Sequence, residues 1–232
     1  MTRRWALVAL AALGTAGLIA LGAWQIERRE WKLALIERVG QRINAAPISA
    51  PGPLRWPSLD RQNAEYLKVT ATGHFLQGRE TLVRAVTTLG GGFWVVAPFQ
   101  TNDGFVVLVN RGFAPPDRRD PASRKNAASA ADPTTVTGLL RITEPGGGFL
   151  RANVPAEERW YSRDVAAISH ARKLSDPAPY FIDSDANPEG APWPVGGLTV
   201  IAFPNNHLLY AVTWFGLALM VAALGVRMAR HR

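Results

Sequence analysis

Cysteine is absent from all 232 residues. That excludes disulfides, thiolate-held metals and covalent c-type haem attachment within the chain, and it leaves no thiol for a copper chaperone. Enzymatic signatures are missing as well: there is no serine nucleophile elbow, zinc helix motif, phosphate loop or dinucleotide fingerprint. The glycine clusters lack the preceding strand and following helix of a phosphate cradle, so they are expected in loops. The chain is read as a non-enzyme. Lysine is scarce, represented only by Lys32, Lys68, Lys125 and Lys173, whereas arginine and alanine are frequent. This habit points to a bacterium with a GC-rich genome. No Ser-rich, Arg-rich transit segment precedes the first apolar run, which argues against a mitochondrial precursor.

Charge is missing altogether from two stretches, Trp5 to Ile26 and Leu208 to Val226. As helices they are about 33 Å and about 28 Å long, enough to cross a hydrocarbon core. The expected organisation is a transmembrane helix over 5–26, a strand-rich extracytoplasmic domain over 27–206 and a second transmembrane helix over 207–226. The first run could instead be a cleaved signal peptide, but it is long for one, and Trp5 and Trp24 are spaced as interfacial anchors of an uncleaved span. Arg227, Arg230 and Arg232 follow the second span while no Lys or Arg lies between Lys173 and that span, which puts the C-terminus in the cytoplasm. Around the first span the basic residues vote poorly, with Arg3 and Arg4 before it and Arg28, Arg29, Lys32, Arg38 and Arg42 after it. Two spans nevertheless force both ends to one side, so the central domain faces the periplasm of a bacterial inner membrane.

The net charge of +8 is not read as a nucleic-acid signature. Five of the arginines belong to the short tails, and no basic face is interleaved with aromatics. Anionic membrane lipid is the expected basic-charge partner.

Beyond the first span the helical pattern continues to Gly40, and Pro47, Pro51, Pro53 and Pro57 then predict an extended, non-helical connector. Strands are predicted at Tyr66–Phe75, Thr81–Val86, Phe93–Phe99, Phe105–Phe113, Thr134–Ile142, Tyr180–Asp183 and Leu198–Phe203, the earlier ones forming an antiparallel meander. Asp103-Gly104 marks a hairpin. A helix is predicted over Ser162–Leu174, with Val165, Ile168 and Ala171 inward. Ala114 to Pro133 reads as a solvated, mobile loop. Asp183 and Asp185 fit a turn near Asn187-Pro188 better than a catalytic carboxylate pair. The fold class is an α+β membrane protein whose central domain is a small barrel or sandwich with one helix.

One residue stands out. His207 lies where a polar approach, Pro204-Asn205-Asn206, meets the second apolar run, and an imidazole there is costly to desolvate and is a common metal ligand. His207, Tyr210, Ala211 and Trp214 fall at i, i+3, i+4 and i+7, so a flat apolar macrocycle can lie on that face with its metal at the histidine nitrogen. The alternative is a histidine cap with belt aromatics. Gln25, Arg28, Arg29 and Lys32 gather on a flank of the first helix, suited either to carboxylates of a ligand or to lipid headgroups.

Five ordered blocks resemble the SURF1 family of assembly factors for haem-copper cytochrome oxidase: LGAWQIERREWK at 21–32, EYLKVTATGHF at 65–75, VLVNRGFAP at 107–115, YFID at 180–183 and NNHLLYAVTWFGLA at 205–218. The third block departs from the family's usual Trp and Val at Phe113 and Ala114, positions expected to serve packing. The resemblance implies two spans, an outward domain, a role in maturing oxidase subunit I and, as for bacterial members, binding of haem a. It also implies that His207 is the family's second-span histidine. The expectation is a haem a carrier with His207 as axial ligand, Tyr210 and Trp214 against the ring, and Arg28, Arg29 and Lys32 as propionate partners. Subunit I and haem A synthase are the expected protein partners. The alternative is a scaffold that stabilises subunit I without binding haem, with His207 serving helix packing.

Overall fold

From Thr2 to Asn44 every stretch favours helix: an Ala- and Leu-rich apolar half, then a half carrying Glu, Arg and Lys at helical spacing, and no proline before Pro47. These residues form one helix, α1, of 43 residues. It runs past the expected end at Gly40 and stops where the chain nears Pro47, whose ring disfavours helical geometry in the residue before it. The computed structural model describes residues 2–124, 133–187 and 193–230. The predicted loop positions 125–132, with Lys125, and also Pro188 and Arg232, lie outside them.

The chain divides into two units, one made of residues 1–40 with 201–232 and one of residues 41–200. The first unit pairs α1 with a helix over His207–Arg230, which is the third helix of the chain, α3. Both are long and apolar enough to cross a membrane. Their outward faces carry large apolar side chains such as Leu13, 72% exposed, and Leu219, also 72% exposed, as suits a lipid-facing helix. The inward faces alternate steps of three and four: Ala11, Thr15, Leu18, Gly22 and Gln25 on α1, and His207, Ala211, Trp214, Ala218, Val221 and Gly225 on α3. This is the period of an antiparallel coiled-coil seam. Lipid supplies no hydrophobic drive between helices, so small residues that permit close backbone approach are what such a seam needs. A Cβ on Gly22 would lie 2.5 Å from Cε1 of Phe215, whereas one on Gly14 would sit 3.8 Å from Val221. At the far end the Arg4 guanidinium donates to the carbonyl of Ala229.

The second unit is a strand-rich domain. Its strands are β1 (Ile48–Ser49), β2 (Lys68–Phe75), β3 (Thr81–Thr87), β4 (Gly90–Thr101), β5 (Val106–Ala114), β6 (Thr134–Ile142) and β7 (Pro177–Ser184), with α2 (Val165–Ala171) between β6 and β7. Neighbours run β1-β2-β6-β7-β5-β4-β3, and an additional β2–β4 pairing closes β2, β6, β7, β5 and β4 into a five-stranded barrel. Closure occurs where Gly73 faces Thr101 and Phe75 faces Phe99. A Cβ on Gly73 would lie 2.0 Å from the carbonyl oxygen of Gln100, so a larger residue would hold the strands apart. Val69, Ala71, Phe99, Val107, Val109, Val136, Leu140, Tyr180 and Ile182, drawn from all five strands, form the interior cluster. Val83, Val96, Leu108 and Phe181 face outward, where Trp160 and the Val165 and Ile168 side chains of α2 cover them. Asp164 caps α2 by accepting from the Ala167 N–H at 3.1 Å.

Five local expectations are corrected. Leu198–Phe203 forms no strand, because each strand of the ring already has two partners and Thr199 turns its hydroxyl to Asp183 instead, at 3.0 Å. Gly90-Gly91-Gly92 is not a loop but the start of β4, paired with Thr87, Val86 and Ala85. The meander holds only for β3, β4 and β5: β2 pairs with β6 and β4, and β7 joins β5 in parallel. The proline connector contains a 3-10 turn over Pro53–Ser58 and docks through Pro51, whose carbonyl accepts from Trp56 Nε1 and from the Tyr180 hydroxyl, each at 2.8 Å. Burial pushes that hydroxyl's pKa up. Lastly, Ala114–Arg124 is not a bare solvated loop, since it carries two 3-10 turns and the buried Arg124, which binds Glu80 and the Arg119 carbonyl.

Asp183 is the largest departure from the expected turn. It sits inside β7, 2% exposed, and accepts from Asn110 Nδ2 at 2.7 Å and from Arg141 and Arg163, each at 2.9 Å. Arg141 also donates to Glu65 at 2.8 Å, and Arg163 to Glu144 at 2.6 Å. Burial alone would lower the pKa of Arg141, but Asp183 and Glu65 outweigh it and hold the guanidinium above its usual value. Removing one partner of such a buried pair leaves charges without compensation.

Two outcomes follow. Asp183→Ala should lower stability by about 3–5 kcal/mol in thermal unfolding followed by circular dichroism, while Val86→Ala, at an 88% exposed site, should lie within about 0.5 kcal/mol of the parent. Because the chain lacks cysteine, the pair Ala11→Cys and Gly225→Cys should cross-link cleanly on oxidation, and adding Gly22→Val should reduce that yield while Gly14→Ala should not.

Candidate ligand site at the head of the helical hairpin

The residues that begin α3 are placed by a change of solvent and of backbone partner. Before it, Ile201 to Asn206 have no regular structure; from His207 the apolar run satisfies its own backbone, starting with the Tyr210 N–H bound to the Asn206 carbonyl at 3.2 Å. His207 therefore occupies the first turn of the helix, on the seam line with Ala211 and Trp214. Ala211 is 1% exposed and Trp214 is half-buried. Tyr210 stands on the flank, 54% exposed, because three residues advance 300° around a helix and leave it about 60° off His207 on the side away from the seam.

On α1, Gln25 lies one turn beyond Gly22, against which the Phe215 ring packs. Its amide oxygen is 2.7 Å from His207 Nδ1. An amide oxygen only accepts, so the contact suits an Nδ1–H tautomer, in which Nε2 would keep its lone pair. Nε2 has no hydrogen-bond partner among the described residues. Two residues earlier in the chain, Asn205 Oδ1 is buried without a partner among them.

The three predicted cations are spread along the next two turns of α1. Arg28 is exposed between two indoles, its guanidinium carbon 5.9 Å from the Trp24 ring and 5.0 Å from the Trp31 ring. Arg29 is half-buried. Lys32 places its ammonium 5.1 Å from the Phe203 ring, the segment that leads into α3. None of the three has a carboxylate partner among the described ion pairs. The N-terminus of α3 adds exposed N–H groups and a positive dipole end to the same region.

These features fit a planar, anionic, apolar ligand that carries its own chelated metal. Among the described residues no three His, Asp or Glu side chains gather, so no protein-only metal cage exists there, and a lone imidazole suits a metal whose other positions are already filled. The apolar seam, the indole of Trp214, a neutral nitrogen donor and cations one to two turns away supply the complementary chemistry. In the second unit the Asp183 cluster has the opposite character: its carboxylates and guanidiniums pair with one another. What sequence reading missed is the pairing of Gln25 with His207. Gln25 had been grouped with the cations on its own helix, and no spacing rule links positions 182 residues apart.

The profile described as the SURF1 family matches residues 12–219. Surfeit locus protein 1 of Rattus norvegicus is 33% identical over 223 residues, which cover 89% of this chain and 70% of the rat protein. The Homo sapiens protein of that name is 33% identical over 215 residues, 85% of this chain and 69% of its own. A SURF1-like protein of Monosiga brevicollis is 33% identical over 240 residues, 97% of this chain and 87% of its own. All three relatives are eukaryotic.

Proposed function

Because this chain belongs to the SURF1 family, which implies an assembly factor for cytochrome oxidase, we propose that it carries haem a for insertion into subunit I. The observation that supports the reading is the His207 ring, held through Nδ1 by Gln25 with Nε2 open at the head of an apolar hairpin. In this scheme His207 Nε2 would hold the haem iron, Trp214 and the exposed Tyr210 would pack against the macrocycle, and Arg28, Arg29 and Lys32 would hold its propionates. When bound, haem a would bring an iron that needs only a protein nitrogen to be held, the role His207 would supply.

The chain's own residues do the rest. The small-residue seam holds α1 and α3 together and so keeps Gln25 within reach of the imidazole. The guanidiniums of Arg28 and Arg29 and the Lys32 ammonium retain anionic groups through charge-assisted hydrogen bonds near the polar end of the helices. No bond in a substrate is broken in this scheme. Both helices are read as membrane spans, with both termini in the cytoplasm and residues 41–200 in the periplasm of a bacterial inner membrane. Subunit I and haem A synthase are the proposed acceptor and donor.

The test is spectroscopic. Co-expressed with a haem A synthase, the wild-type protein should purify with a haem a absorption band. His207→Ala should abolish that band, while His74→Ala and His170→Ala, both at exposed sites of the second unit, should leave it intact. A colourless wild-type protein that still promotes oxidase assembly would sink the carrier and favour a scaffold for subunit I.

A further inference from the structure

We propose that Gln25 is a positioning residue: it holds His207 as the Nδ1–H tautomer and so assigns Nε2 as the nitrogen offered to a metal. The purpose of this device rests on the haem-carrier reading; its geometry does not.

Neutral imidazole has one N–H, and the group that accepts it decides which nitrogen is left basic. Most metal-binding histidines give that proton to a carboxylate or a backbone carbonyl. Neither is at hand for His207. It stands in the first turn of α3, and a helix N-terminus exposes N–H groups rather than carbonyls. The acceptor must come from the neighbouring helix, and Gln25 Oε1 supplies it at 2.7 Å. The partner is held in turn, since Gln25 is half-buried one turn from Gly22, where the Phe215 ring fills the space a side chain would need.

An amide in this place has two consequences. It orients the ring as a carboxylate would, but it brings no charge to the mouth of an apolar helix, where an ionised group is costly. It also pulls less strongly on the Nδ1 proton than a carboxylate does, so Nε2 becomes a weaker donor. That is the property a carrier requires, because its ligand must be surrendered to another protein. Gln25 thus sets the balance between holding and releasing.

The experiment uses the full-length protein in lipid nanodiscs with 15N-labelled histidine. Only four histidines are present, so the His207 signals are assigned by their loss in His207→Ala. Without haem, the wild-type spectrum should show a protonated Nδ1 and a bare Nε2. Gln25→Leu should populate both tautomers, and Gln25→Glu should restore the wild-type one. With haem a bound, Gln25→Leu should weaken retention about 10–100-fold, whereas Gln25→Glu should slow transfer and lower the haem midpoint potential. Cross-linking through cysteines at positions 11 and 225 should be unchanged in Gln25→Leu, which separates loss of positioning from loss of the hairpin. An Nε2–H tautomer in the wild type, or no change in Gln25→Leu, overturns the proposal even if haem binds. The expected tautomer shift in a protein that takes up no haem keeps the positioning role and removes the carrier.

Discussion

Side-chain packing between two helices is the constraint on which the head of the hairpin depends. Gly22 on α1 has no side chain because the Phe215 ring occupies that space, and Ala211, Ala218 and Gly225 keep α3 equally slim along its seam. This contact rests on van der Waals packing of the Phe215 ring and of small residues along the seam. One turn further, the same proximity brings the Gln25 amide to hydrogen-bonding distance of His207. A wider seam would leave the imidazole without a fixed tautomer and two polar groups without partners in an apolar setting.

The molecule contains two polar clusters, and their difference indicates which one is built for binding. Around Asp183, five charged groups and an asparagine share their hydrogen bonds until little capacity remains, at the cost of burying Arg141 and Arg163. Such a cluster ties β5, β6 and β7 to the segment around Arg163 and gives the barrel a unique register. His207 and Gln25 make one bond and stop, with Nε2 and Asn205 Oδ1 left open. The first network is closed on itself, and the second is the one the proposed site uses.

The five blocks that resemble the SURF1 family sort onto these same two places. Glu65, Asn110 and Asp183 come from the second, third and fourth blocks and meet in the buried network, and Phe113 of the third block is fully buried with its ring edge-on to Trp94 and Trp193. Gln25 comes from the first block and His207 from the last, and they meet across the hairpin. One group of motifs therefore maintains the domain, and the other forms the candidate site.

By itself the sequence determined the element inventory. Two uncharged runs of bilayer length have only one economical conformation, and β-branched stretches between turn residues marked β2 to β7, with the bounds of β6 at Thr134–Ile142 as expected and β7 running beyond the expected Tyr180–Asp183 to Pro177–Ser184. Local patterns also singled out His207, because an ionisable residue at the edge of an apolar run is visible without any partner. What only the tertiary structure decided was every pairing across long stretches of chain: the β2–β4 contact that closes the barrel, the burial of Asp183 between two arginines, the strand fate of Gly90 to Gly92, and the choice of Gln25 as the partner of His207. Periodicity reports which face of an element is buried, but not what covers it. A hydrogen bond between residues 182 positions apart exists only once packing has brought their helices together.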